Sequence, residues 1–177
     1  MQALDVFLKA AQHFDIASAK VKFTLLGAGA DEKRLRQLNE ELNLSNVQFL
    51  PRVSTEEVGK YLNSVDALFV HLKNDPLFEI TIPSKILSYL RTGKPILLGL
   101  KGDASEVIKK SKSGFLFNAE DVSDLVNKVE KLLHLSSSER ALMGENGIKF
   151  YNDNLSIESS TDKLEIALQE IIYNNEK

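Results

Sequence analysis

The sequence predicts an α/β fold in which a parallel sheet of five short strands carries helices on both faces and ends in a helical tail. Three observations predict it. Short apolar runs alternate with segments whose apolar residues recur at helical spacing. Turn formers such as Gly27, Pro51 and Gly93 separate the two kinds of segment. Beyond Asp121 the strand pattern stops and only helical periodicity remains.

Leu4, Phe7, Leu8 and Ala11 share one face, so a helix is expected over about 3–18. Val21–Leu26 reads as a buried strand running into Gly27-Ala28-Gly29. From Asp31 to Leu42 charges interleave with Leu35, Leu38 and Leu42, giving a second helix. Asn46–Leu50 is a strand stopped by Pro51, which has no N–H for a ladder. Ser54 and Glu57 have capping-box spacing and open a helix carrying Val58, Tyr61, Leu62 and Val65. Asp66–His71 is the third strand, and Lys73–Pro83 follows as a polar loop.

Pro83-Ser84-Lys85 opens a helix that runs to about Thr92, where Gly93 stops it. Strands at Pro95–Gly99 and Gly114–Phe117 flank a helix near 103–112. Helices are then expected at about 121–134, 137–151 and 156–173, with the last four residues frayed. Residues 1–135 form the α/β core and 136–177 the C-terminal helices of a single domain, as about 150 residues per domain suggests. The last helix bears an apolar stripe of Leu164, Ile166, Ala167, Ile171 and Ile172, expected to bury against the domain's own core, with a self-association surface as the alternative.

A net charge of −3 with 43% hydrophobic and 27% charged residues excludes disorder and gives no footprint for nucleic acid. With no cysteine there is no disulfide, thiol nucleophile or thiolate zinc site. No apolar run approaches the length of a membrane span, and Met1–Asp5 lacks the basic start of a signal peptide. The expected location is cytoplasmic, with any membrane contact peripheral and at the inner face.

In a sheet of this kind ligands bind beyond the carboxyl ends of the strands. Gly27-Ala28-Gly29 is either a tight turn or a cradle for an anion; Glu32 at the third-glycine position excludes a dinucleotide fingerprint, and no Walker lysine follows. His71–Lys85 is richer in chemistry, with Lys73 and Lys85 near a helix start that favours a diphosphate. Asp75 and Glu79 form a carboxylate pair on that loop, without an assigned acid or base role. His71 is equally readable as structural or ligand-binding, and His13 and His134 as bystanders. Lys109, Lys110 and Lys112 read as a solvated helix face. No His/Asp/Glu cluster has metal-ligand spacing, so no bound metal or cofactor is expected.

From about Val21 to Leu133 the ordered motifs resemble one family. They are Leu25-Leu26-Gly27-Ala28-Gly29, Asn46–Pro51, Tyr61–Leu68, Ile82-Pro83-Ser84-Lys85 through Gly93-Lys94-Pro95-Ile96, Gly102–Ile108 and Ser113–Leu116. Together they resemble the C-terminal, nucleotide-sugar-binding domain of GT-B glycosyltransferases, family 4 of the retaining enzymes. The Pro-Ser-Lys variant is similar to enzymes that transfer hexoses or amino sugars in surface-polysaccharide and lipopolysaccharide assembly.

The resemblance implies a Rossmann-like sheet of about five or six strands and a nucleotide-diphosphate sugar, such as a UDP-sugar, as substrate. It places the base near Arg52 and Val53, and the diphosphate and sugar near Gly27, Gly29, Lys73, Thr81, Pro83, Ser84 and Lys85. It implies a ribose contact from Ser88, and it makes Glu79 the catalytic candidate, as a sugar contact. Many members have a pair of glutamates where this chain has Ile80 and Ser88, with Glu79 one place before Ile80.

The family's first strand and its glycine loop have no counterpart here, so open apolar sheet edges are expected, whether the chain is a fragment, another polypeptide supplies the strand or the strand order differs from the family's. The partner of such a domain is an N-terminal acceptor-binding domain, also without a counterpart. The isolated chain is therefore expected to be inactive while retaining a donor site. The alternatives are a non-catalytic nucleotide-binding or interaction module and half of a nucleotide-sugar epimerase.

Overall fold

The computed structural model describes residues 3–17 and 21–175, with side chains through residue 171. The chain runs α1 (Asp5–Ile16), β1 (Phe23–Leu26), α2 (Glu32–Glu41), β2 (Val47–Leu50), α3 (Thr55–Asn63), β3 (Leu68–His71) and α4 (Pro76–Glu79). It continues as α5 (Ser84–Arg91), β4 (Ile96–Gly99), α6 (Asp103–Ser111), β5 (Gly114–Leu116), α7 (Val122–His134), α8 (Ser137–Asn154) and α9 (Ile157–Asn175).

All pairings are parallel, as strand–helix alternation requires. β1 pairs with β2, placing Phe23 opposite Val47, and β4 lies between β3 and β5, with Leu97 opposite Phe69 and Phe115. The hydrogen-bonded ladder comes in two pieces, β1–β2 and β3–β4–β5. Among the described residues the sheet therefore has open edges, as expected.

Side-chain alternation along the strands builds a core on each face. Phe7, Ala10, Ala11 and Phe14 of α1 and Leu125, Val126 and Val129 of α7 close over Phe23, Leu97 and Phe117. On the other face Ile86 and Leu90 of α5 and Val107 and Ile108 of α6 pack on Val70, Ile96 and Leu98. β4, buried on both faces, reads as the uninterrupted apolar run Ile96-Leu97-Leu98.

Helix starts follow their caps. The Ser54 N–H donates to Glu57 Oε2 at 3.3 Å, the reach-back half of the expected capping box. Ser136 and Glu139 form a second box, at 2.7 and 3.2 Å. Gly93 ends α5 with φ +66°, a conformation glycine takes without penalty. Gly144 of α8 packs on that turn so closely that a Cβ there would lie 1.9 Å from the Gly93 carbonyl oxygen.

Three expectations need correction. The Lys73–Pro83 segment is not all loop: Asp75 Oδ1 accepts the Leu77 N–H at 2.9 Å and, with Pro76 in the first turn, starts the short helix α4. The α9 stripe does not bury against the core. Leu164, Ile166 and Ile171 remain 59%, 56% and 57% exposed, because α9 leaves the body of the domain after α8; the side chain of Ile172 lies outside the described residues. Asn174 and Asn175 stay within α9; residues 176 and 177, where fraying was also expected, residue 18 of the first expected helix, and residues 1–2 lie outside the described residues.

Among the described residues no helix is long and apolar enough to cross a membrane.

Candidate functional site

The carboxyl ends of β1, β2 and β3 open onto one trough of about 2510 Å³, whose body extends down between β1 and β3. Gly27 turns the chain out of β1 with φ +126° while its N–H still donates to the Leu50 carbonyl at 3.1 Å. A Cβ at either Gly27 or Gly29 would meet nothing within 4 Å, so the space above this loop is open to a ligand. The nearby Arg34 is not available to an anion. Its two terminal nitrogens donate to Asp5 at 2.8 Å each and its Nε to Asp31 at 2.6 Å, holding the start of α1 to the start of α2. Those hydrogen bonds lower the pKa values of Asp5 and Asp31 below the ordinary carboxylate value.

β2 exits through Pro51 into Arg52 and Val53, which line the trough. β3 exits through His71, only 2% exposed. The Glu120 N–H donates to His71 Nε2 at 3.0 Å, and the Asn74 N–H donates to Glu120 Oε2 at 3.2 Å. Glu120 therefore ties the β3 exit to the turn after β5, from a backbone with φ +64°. His71 is also stacked on Phe117, with ring centres 5.6 Å apart. It is a structural histidine and not a ligand contact. Burial lowers its pKa, outweighing the opposing pull of the Ala3 backbone and the Glu120 charge.

α5 begins after Pro83, and no side chain caps its first turn. Its free amides and positive dipole end thus lie beside exposed Ser84 and Lys85, with Ser88 one turn further on. Ser84, Lys85 and Ser88 line the trough together with Gly27, Gly29 and Lys73. Arg52, Lys73 and Lys85 are all exposed and, among the described residues, none has a salt-bridge partner. Three unpaired cations, a glycine turn and an uncapped helix start make this end of the trough a place for a polyanion.

Glu79, Thr81 and Pro83 do not line the trough. Thr81 Oγ1 donates to the Phe78 carbonyl at 3.3 Å, closing α4. Glu79 is exposed at the end of α4, and its backbone is seated on Gly102. Asp75, the other half of the carboxylate pair, is spent as the α4 cap. Glu120 and Gly102 escape a reading of the sequence. A left-handed glutamate has no sequence signature, and the Gly102 contact joins loops that are distant along the chain.

No group of three His, Asp or Glu side chains among the described residues could hold a metal ion. His13 lies 3.5 Å from Glu130 at the surface, and Lys109 pairs with Glu106 at 2.8 Å on a solvated helix face.

A family model described as Glycosyl transferases group 1 matches residues 1–150. Two curated relatives are each 24% identical: an uncharacterized glycosyltransferase, MJ1178, of Methanocaldococcus jannaschii over 149 residues, and the putative colanic acid biosynthesis glycosyltransferase WcaL of Escherichia coli over 142. The matches cover 84% and 79% of this chain but only 39% and 35% of the relatives. Among solved structures, Anabaena Alr3699/HepE in complex with UDP superposes with a TM-score of 0.79 at 16% identity, over 96% of this chain and 45% of that one. At that identity the likeness shows the fold alone.

Proposed function

The chain belongs to the glycosyl transferases group 1 family, and from that premise we propose that it is the donor-binding half of a retaining glycosyltransferase acting in cell-surface polysaccharide or lipopolysaccharide assembly. The observation that carries this reading is the convergence of unpaired Arg52, Lys73 and Lys85 with the Gly27–Gly29 turn and the uncapped start of α5 on one trough. The ligand class follows from that chemistry. A nucleoside diphosphate supplies the charge these groups lack a partner for, and its base and ribose extend toward Arg52, Val53 and Ser88. UDP is the first nucleotide to try, since a fold neighbour is described in complex with it. WcaL, a putative colanic acid enzyme, is consistent with a role in surface glycans.

In this reading the bond between the sugar's anomeric carbon and the diphosphate oxygen breaks, and the acceptor oxygen bonds that carbon on the same face. The acceptor's proton passes to the departing diphosphate. The task of this domain is to neutralise the charge that develops on the leaving group, which falls to Lys73, Lys85 and the α5 amides. Glu79 as a sugar contact rests on the family resemblance alone. The chain spans well under half the length of its curated relatives. Transfer accordingly belongs to a longer, cytoplasmic protein with an acceptor-binding domain, and this chain alone binds donor without turnover.

Calorimetric titration with UDP and GDP, repeated with Lys85→Ala, tests the reading. One nucleotide should bind, and the substitution should weaken it about tenfold, the loss of one charge-assisted contact. No binding by the folded chain, or unchanged affinity in the variant, overturns the assignment.

A further inference from the structure

Three residues other than glycine hold a positive φ among the described residues: Asn43, Lys112 and Glu120. Two of them end helices. Asn43 follows the last turn of α2 and Lys112 that of α6, where a left-handed residue is an ordinary stop. Glu120 ends no helix. It is the third residue of a β-turn that the Asp121 N–H closes on the Asn118 carbonyl at 3.1 Å. A positive φ at that position suits glycine or asparagine, and a glutamate there is strained. Nor does the start of α7 need it, since Asp121 supplies the cap by accepting the Asp124 N–H at 2.9 Å.

What the glutamate gains lies at the exit of β3. Its N–H donates to His71 Nε2 at 3.0 Å, and its Oε2 accepts the Asn74 N–H at 3.2 Å. A glycine at 120 would keep the first bond and lose the second. The His71 ring is 2% exposed and stacked on Phe117, so the anchor of Glu120 is itself fixed. On one side of Lys73 the Leu72 N–H donates to the Gly99 carbonyl at 3.4 Å; on the other Asp75 Oδ1 caps α4. Between them, among the described residues, the Asn74–Glu120 bond is the only hydrogen bond on the backbone of Lys73 and Asn74.

Glu120 and Lys73 line the same trough, yet they form no salt bridge with each other. The carboxylate takes a backbone N–H instead. An ion pair between the two would cancel the charge that a polyanion needs, whereas the backbone bond shapes the loop and leaves the ammonium to a ligand.

We propose that Glu120 is a positioning residue for the anion end of the trough: its carboxylate holds Asn74 so that the neighbouring Lys73 is presented to a bound diphosphate. The identity of that ligand rests on the donor-binding reading; the hold on Asn74 does not. Strain is kept in the Asn118–Asp121 turn because glycine, which would relieve it, cannot make this contact.

The test compares Glu120→Gly and Glu120→Gln, each alone and combined with Lys73→Ala. Asn74 amide exchange is followed by NMR, stability by thermal melting, and binding by titration with UDP, GDP and inorganic pyrophosphate. Glu120→Gly should speed Asn74 exchange at least about threefold and weaken binding about threefold. It should still melt within about 3 °C of the parent, because the relieved strain offsets the lost bond. Glu120→Gln, whose amide oxygen still accepts the Asn74 N–H, should keep the parent's exchange and bind no more weakly.

The sign of the binding change separates positioning from charge. A carboxylate beside an anion site repels the ligand, so its removal by itself tightens binding. In the Lys73→Ala background Glu120→Gly should no longer weaken binding, since the effect acts through Lys73. The proposal is overturned if Glu120→Gly leaves Asn74 exchange unchanged, binds more tightly than the parent, or loses as much affinity without Lys73 as with it. A parent that binds pyrophosphate but neither nucleotide overturns the donor reading alone, and pyrophosphate then decides the role of Glu120. A parent that binds none of the three overturns both.

Discussion

Glu120 and His71, 49 residues apart, meet through a 3.0 Å hydrogen bond from the Glu120 N–H to the His71 Nε2. Since Nε2 is the acceptor, the neutral ring carries its hydrogen on Nδ1. Protonation would place a second hydrogen on Nε2, against a donor, beside the rings of Phe69 and Phe117.

A pH dependence follows. Burial holds the folded-state pKa of His71 below its ordinary value of 6.5. The unfolded chain therefore binds a proton that the folded chain resists. The stability associated with His71 is present while both states are neutral, and it is lost as pH falls through the unfolded value toward the lower folded one. An NMR titration should place His71 below a free imidazole. Melting temperature should fall from about pH 7.5 to 5.5, and His71→Gln should flatten that fall. An identical fall in the variant assigns the effect to other groups.

Gly102 is the seat of the Glu79 loop. With φ +75°, any added Cβ would lie 1.8 Å from the Glu79 carbonyl oxygen and 2.6 Å from its Cα. Gly102→Ala should therefore cost about 1–3 kcal/mol and displace α4. Gly29→Ala is the contrast, because its Cβ meets nothing within 4 Å and its φ is not in the left-handed region. It should melt like the parent while weakening nucleotide binding, since its methyl occupies trough space. Melting curves paired with nucleotide titrations separate the two effects; equal melting of both variants refutes the role given to Gly102.

The last helix should be dispensable for folding. Residues 160–171 of α9 are all exposed, so ending the chain at Ser156 removes little buried apolar surface. The truncated chain should melt within about 3 °C of the full one. A larger drop means that α9 is packed in solution.

Much of the architecture was legible in local sequence. The apolar run at Ile96–Leu98, the capping box at Ser54 and Glu57, and Gly93 as a stop each state a local preference that the fold keeps. The α4 turn is not legible in the sequence, because Asp75-Pro76 reads equally as a loop until Leu77 closes on the carboxylate. The α9 stripe misled because periodicity shows that a face is apolar but not what lies against it.

For the candidate site, sequence alone supplied the strand exits and the identity of the cations, since glycine, proline and lysine act there through their own covalent chemistry. Only the tertiary structure decided that Arg34 is spent on Asp5 and Asp31 while Arg52, Lys73 and Lys85 have no salt-bridge partner among the described residues. It likewise decided that His71 is structural and that β1 and β3 stand apart with their edges open. Each of those outcomes depends on which distant groups reach hydrogen-bonding distance, and spacing along the chain carries no record of that.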